Sequence, residues 1–160
     1  MVGVRRPFHI NINCTDFDRS LAFYEWLGFR VVNDLGEGGN RAIQQGLAMP
    51  ERPVGRAALL QAGDDARSLR IDLIEWKTPR VEGVTPPNLW TVGMARLALI
   101  CDNLHELCDQ AADHGAELLS EPVIVQNRNG TTDGWVCMKD PDGTIIELIQ
   151  FKDVDVPSTT

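Results

Sequence analysis

Four residues of this chain have the types and spacing for acid–base or metal chemistry: His9, Asp72, Arg96 and Glu147. They fall into two pairs because the chain carries an internal repeat. Set against itself 87 positions on, His9 faces Arg96, Cys14 faces Cys101, Phe17 faces Leu104 and Gly28 faces Gly115. Val31-Val32 face Leu118-Leu119, and no gap is needed from His9 to Val32. Further along, Ile71-Asp72-Leu73-Ile74-Glu75-Trp76 matches Ile146-Glu147-Leu148-Ile149-Gln150-Phe151 at an offset of 75. A duplicated module tends to bury its apolar face against its twin, with a site enclosed between the copies. One histidine nitrogen and two carboxylates form a possible metal set, whereas a guanidinium has only donors and no lone pair to give. The copies thus disagree at the charged position held by His9 in one and Arg96 in the other.

The elements that must position these residues follow from periodicity. Phe8 to Cys14 alternates His9, Asn11 and Asn13 with Ile10, Ile12 and Cys14, which predicts a strand with one polar face. Thr15-Asp16 offers a helix cap, and Phe17, Leu21, Tyr24 and Leu27 form a helical stripe ended by Gly28. Phe29 to Asp34 reads as a strand and Gly36, Gly38 and Gly39 as a loop. Two strands are expected near 41–46 and 57–62, around a Pro-containing excursion at 48–55, and a last one over 69–76. The second copy repeats the order: a strand over 96–101, a helix opened by Asp102-Asn103, and strands near 117–126, 134–139 and 144–151. Asp140-Pro141-Asp142-Gly143 is a turn by composition. The reading is α+β: a first β-α-β-β-β module at 7–76, a linker at 77–93, a second module at 94–152, and a flexible tail at 153–160.

Composition narrows the function classes. The 160 residues are 43% hydrophobic and 6% aromatic, ordinary for a globular chain. A net charge of −8 argues against a nucleic-acid partner, which needs a basic footprint. No apolar run approaches the ~20 residues of a membrane span, and the N-terminus has no signal-peptide core. The cysteines at 14, 101, 108 and 137 lack CxxC or CxxH spacing, so they read as packing residues of a cytoplasmic protein.

The paired modules carry three further features: a histidine at the start of the first strand, Phe23-Tyr24 before Leu27-Gly28-Phe29, and Asp140-Pro141-Asp142-Gly143 followed by Ile146-Glu147-Leu148. Together these resemble the vicinal oxygen chelate superfamily, which includes glyoxalase I, methylmalonyl-CoA epimerase, extradiol dioxygenases, fosfomycin-inactivating enzymes and bleomycin-resistance proteins. The resemblance runs over about residues 7 to 152. It implies two modules whose strands curl as a mixed sheet around a central cavity, and often a homodimer. Its metal positions carry over to His9, Asp72, Arg96 and Glu147. In metal-using relatives the third of these is usually histidine.

His9, Asp72 and Glu147 would suit Zn, Mn, Fe, Co or Ni. A guanidinium within ~5 Å of a divalent ion opposes it by several kcal/mol at an effective dielectric of about 20. A metal-free site is therefore the expectation, with a divalent metal as the alternative. Without metal, Arg96 would clamp a carboxylate or enolate, His9 would act as base, and Glu147 would orient it or shuttle a proton. Alternatively, Arg96 neutralises two buried carboxylates and does no chemistry. Asn11 and Asn13 share the face of His9, and Trp76 and Phe151 lie four residues beyond the carboxylates. These four are candidate substrate contacts. Three functions follow: an isomerase, epimerase or lyase acting on a small oxygenated or carboxylated substrate through an enolate; a small-molecule-binding or drug-sequestering resistance protein; or an extradiol-type dioxygenase, which lacks its second histidine here.

Overall fold

The computed structural model describes residues 3–4, 6–65, 67–83, 89–90, 92–152 and 154. The chain forms two compact units, Met1–Gly83 and Val84–Thr160.

Unit 1 runs β1 (Ile10–Asn13), α1 (Phe17–Trp26), β2 (Phe29–Gly38), α2 (Arg41–Gly46), β3 (Val54–Ala62) and β4 (Arg70–Thr78). Its mixed sheet has the order β1-β4-β3-β2, with β1 parallel to β4 and the other pairs antiparallel. Alternation along the strands divides it into two faces. Ile12, Ala58, Leu60, Ile71 and Leu73 are buried, as are Phe17, Phe23 and Tyr24 of α1, which packs along this sheet. Tyr24 sits edge-on to both Phe23 and Phe29, at 5.1 Å and 5.8 Å between ring centroids. Each such fully buried ring contributes roughly 1.5–3 kcal/mol of burial free energy. The other face carries Asn11 and Asn13 on β1 and Asp72, Ile74 and Trp76 on β4.

Two expectations are corrected here. The segment 41–46 is a helix, not a strand. Asn40 Oδ1 accepts from the Ile43 backbone N–H at 2.9 Å, capping a run of good helix formers, Arg-Ala-Ile-Gln-Gln. Gly36 and Gly38 also do not begin a loop, because β2 continues to Gly38 through two register shifts. Gly36 has φ +70°, the left-handed conformation that a bulge requires and glycine supplies cheaply.

Unit 2 runs β5 (Leu97–Ile100), α3 (Leu104–Gln110), a 3-10 turn (Ala111–His114), β6 (Glu117–Leu118), β7 (Val123–Gln126), β8 (Thr132–Lys139) and β9 (Ile145–Gln150). The sheet order is β5-β9-β8-β6, with β7 also pairing with β8. The single strand expected over 117–126 is thus split, at a segment containing Pro122, which has no N–H to give the ladder. Val154, expected in a flexible tail, is 3% exposed, and its carbonyl accepts from Thr132 Oγ1 at 2.7 Å. The rest of that tail, 155–160, and Asp153 lie outside the described residues.

The repeat is visible in the hydrogen bonds. Cys14 N–H donates to the Ile74 carbonyl, and Cys101 N–H to that of Ile149. The N–H of Phe17 at the start of α1 donates to Glu75 Oε2 at 3.1 Å. The N–H of Leu104 at the start of α3 donates to Gln150 Oε1 at 2.9 Å. In each unit the last strand's side chain caps the helix. In α3 this replaces Asn103, whose side chain makes no capping bond.

Candidate functional site

β1 and β4 lie side by side in parallel register, Asn11 opposite Asp72, so the polar residues of both strands project from one face. His9 Nε2 lies 3.9 Å from Asp72 Oδ2, an ion-pair distance beyond hydrogen-bond length. Asn11 Nδ2 donates to the Asp72 backbone carbonyl at 3.1 Å and lies 3.4 Å from Oδ2. Asp72 Oδ1 is buried and has no hydrogen-bond partner among the described residues. Asn13 Oδ1 accepts from Trp76 Nε1 at 3.0 Å, which fixes the indole. The two asparagines therefore orient Asp72 and Trp76.

Asp72 and Trp76 line a cavity of about 750 Å³ within unit 1. Ile74, Leu35, Ile43 of α2 and Leu47 at the helix's C-terminal cap supply most of its apolar wall. Gly55 and Ala57 on β3, opposite Trp76 and Ile74, are small enough to leave the space open. A Cβ on Gly55 would fall 2.8 Å from the Trp76 ring. Among the described residues lining the cavity, Asp72 is the one charged side chain.

The equivalent face of unit 2 is built differently. Arg96 Nε donates to Glu147 Oε2 at 2.8 Å. This bond and the carboxylate's charge raise the Arg96 pKa further above its usual value. Glu147 stands opposite Ala98 on β5 and Cys137 on β8. Burial raises the Cys137 thiol, and the Glu147 charge adds to it while Arg96 opposes. Burial also raises Cys101, and pushes Cys108 to about 11, so these thiols stay protonated at neutral pH. Phe151, paired with Trp76 by the repeat, falls just beyond β9 and is 56% exposed.

A family model described as the Glyoxalase/Bleomycin resistance protein/Dioxygenase superfamily matches residues 6–148. The chain belongs to that superfamily. Solved structures give the same fold. A glyoxalase family protein from Bacillus cereus is similar with a TM-score of 0.80 at 19% identity, over 95% of this chain and 97% of that one. Glyoxalase I from Zea mays is similar with a TM-score of 0.59 at 22% identity, over 93% of this chain and 46% of that one. Virulence protein STM3117 from Salmonella typhimurium reaches 0.51 at 18%, over 94% and 99%. At these identities the likeness is one of fold. Among curated proteins, none matches in sequence.

The donor set of this glyoxalase-superfamily chain does not fit the divalent metal that the resemblance implies. In unit 1, His9 and Asp72 are compatible with it, and the unpartnered Oδ1 is a spare acceptor. In unit 2, the histidine's counterpart is Arg96, and it holds the very carboxylate that would be the next ligand. Among the described residues, no three His, Cys, Asp or Glu side chains gather as a metal-binding group. No helix among the described residues is long and apolar enough to cross a membrane.

Sequence reasoning missed α2 and the small residues of β3 as cavity walls. Both were signalled: Asn40 followed by helix formers, and Gly55-x-Ala57 at period two on the strand paired with β4.

Proposed function

We propose that this superfamily member is a metal-free small-molecule-binding protein of the sequestering type. Its ligand has an apolar or aromatic body and one cationic N–H group, an ammonium. The carrying observation is the unit 1 cavity, mostly apolar with Asn40 also in its lining, where Asp72 is the one charged side chain and its Oδ1 has no partner among the described residues. The terminal torsion of Asp72 is broad, so the carboxylate can turn to meet a ligand's donor. A buried acceptor without a donor costs free energy that a ligand's N–H or ammonium recovers. Trp76, held by Asn13, adds an aromatic wall on which a planar or cationic group stacks.

The test is a titration with an arylalkylamine such as benzylamine beside its neutral counterpart, benzyl alcohol, read by tryptophan fluorescence. Trp76→Phe serves as the control that assigns the signal. Saturable, amine-selective binding that is lost in Asp72→Asn supports the reading. Equal response to amine and alcohol sinks it.

The proximity of His9 to Asp72 favours a second reading, an isomerase, epimerase or lyase. His9 and Asp72 would share the abstracted proton. Deuterium appearing at the carbon next to a substrate carbonyl, in D2O and dependent on His9, would move the assignment to this reading. Unaltered ligand after long incubation keeps the first.

A further inference from the structure

We propose that unit 1 carries a second site, an anion pocket that takes phosphate or a phosphate monoester. It is lined by Arg6, Pro7, Phe8, Arg67, Ser68 and Arg70, around a space of about 270 Å³. Three arginines thus line one small pocket of a chain whose net charge is −8. Among the described residues, none of the three has a carboxylate partner. The nearby acids are otherwise engaged. Asp64 pairs with Arg30, and Asp65 Oδ1 accepts the backbone N–H of Arg67.

The pocket is braced from behind. Gln61 is 4% exposed and sits opposite Arg70 across β3 and β4. Its Oε1 accepts from Arg70 Nε at 2.9 Å. Its Nε2 donates to the carbonyls of Gly63 and Asp65, at 3.1 Å and 3.2 Å. One buried amide therefore fixes both the Arg70 side chain and the turn that presents Arg67 and Ser68. Because Gln61 is neutral, it orients Arg70 without cancelling its charge. The guanidinium carbon of Arg70 lies 5.7 Å from the centre of the Phe8 ring, which closes one side of the pocket with an apolar wall.

Like charges gathered without counterions are unfavourable, and a structure keeps them together where an anion repays the repulsion. Guanidiniums match phosphate oxygens with paired N–H donors, and the Ser68 hydroxyl adds one more. A pocket of this size has room for a phosphate with a short organic substituent. The site does not depend on the ligand proposed for the Asp72 cavity.

Calorimetric titration of the full chain tests it, with inorganic phosphate and separately with glycerol 3-phosphate, at ionic strength held constant with sodium chloride. A single saturable site is expected, weakened tenfold or more in Arg6→Gln and in Arg67→Gln. Both side chains are exposed, so the variants should melt like the parent. Arg128→Gln, outside the pocket, should leave binding unchanged, as should Asp72→Asn. Tighter binding of the ester assigns a phosphate monoester, and equal or tighter binding of inorganic phosphate assigns the free ion. Heat that tracks ionic strength alone, or binding that survives in the Arg6→Gln/Arg67→Gln double variant, overturns the proposal.

Discussion

Asp72 should be a residue the fold would be more stable without. The perturbation that isolates this is Asp72→Val, which removes the carboxylate, keeps similar bulk, and places a β-branched residue within a strand. The carboxylate contributes little to the fold in return for its burial. Oδ1 has no partner, and the contact with His9 is 3.9 Å long to a side chain that is 33% exposed. Leaving a buried acceptor unsatisfied costs about 1–3 kcal/mol. A pair as open as His9–Asp72 contributes about 0–1 kcal/mol. The Asn11 side chain keeps its bond to the backbone carbonyl of residue 72, which the substitution does not touch. The higher strand propensity of valine adds a few tenths, on a scale that spans about 1 kcal/mol. The net is a gain of about 1–2 kcal/mol. For a chain of this length that corresponds to a rise in Tm of about 2–8 °C. Differential scanning calorimetry measures it, beside the amine titration, where the same variant should lose binding at least tenfold. A Tm that falls by more than about 3 °C would show that the carboxylate is satisfied within the fold. The claim that it is held ready for a ligand would then fail.

Four further outcomes follow from the same geometry. Gly55→Val should push the Trp76 ring out of place, lowering stability by about 1–3 kcal/mol as overpacked sites do and weakening ligand binding in parallel; chemical denaturation and the fluorescence titration read the two effects. Gln150→Ala should destabilise unit 2 by about 1 kcal/mol, the cost of an uncapped helix start, and Glu75→Ala should do the same in unit 1; urea melts that show no loss in either would refute the shared capping. Arg96→His places a histidine beside Glu147 as His9 lies beside Asp72, so elemental analysis should find divalent metal taken up by the variant and little in the parent. Asp133 accepts from the Lys152 backbone N–H and from the Asn127 side chain, which hold its carboxyl below the usual value; its stabilisation is present above the unfolded pKa near 4 and is lost as pH falls through the lower folded value, so Asp133→Asn should flatten the acid limb of the stability profile.

The fold was legible wherever a period ran uninterrupted over several residues. The His9-Asn11-Asn13 alternation, the Phe17 stripe capped by Asp16, and the repeat itself all appear in the structure with small changes of boundary. Legibility failed where the local signal was short or ambiguous. Six residues at 41–46 carry too little periodicity to separate helix from strand, and the decision rested on one cap, Asn40. Bulges likewise hid the continuation of β2, because glycine marks both loops and bulges. The repeat matched His9 with Arg96 and Asp72 with Glu147 as equivalent positions; the contacts of His9 with Asp72 and of Arg96 with Glu147 come instead from the parallel pairing of first and last strand within each unit. The cavity was not legible, because its walls come from α2 and from residues chosen for being small. Nor was the arginine pocket, whose three charges lie scattered over 65 positions of chain and meet through β4 and the turn before it.

The repeat sets Arg96 of unit 2 at the position held by His9 in unit 1, and each unit bears the consequence. In unit 2 the strand-end carboxylate, Glu147, is met by a permanent cation at 2.8 Å. In unit 1 the equivalent carboxylate, Asp72, is met by a histidine at 3.9 Å and an asparagine, neither of which supplies a permanent charge. Two copies of one module have therefore diverged electrostatically: one closes its own account with an internal ion pair, and the other leaves an acceptor unmet beside an apolar cavity. An acceptor that the fold leaves unmet is one that a bound donor can satisfy. In unit 1 that donor would be an N–H or an ammonium beside an apolar wall, which is the chemistry of an organic ligand.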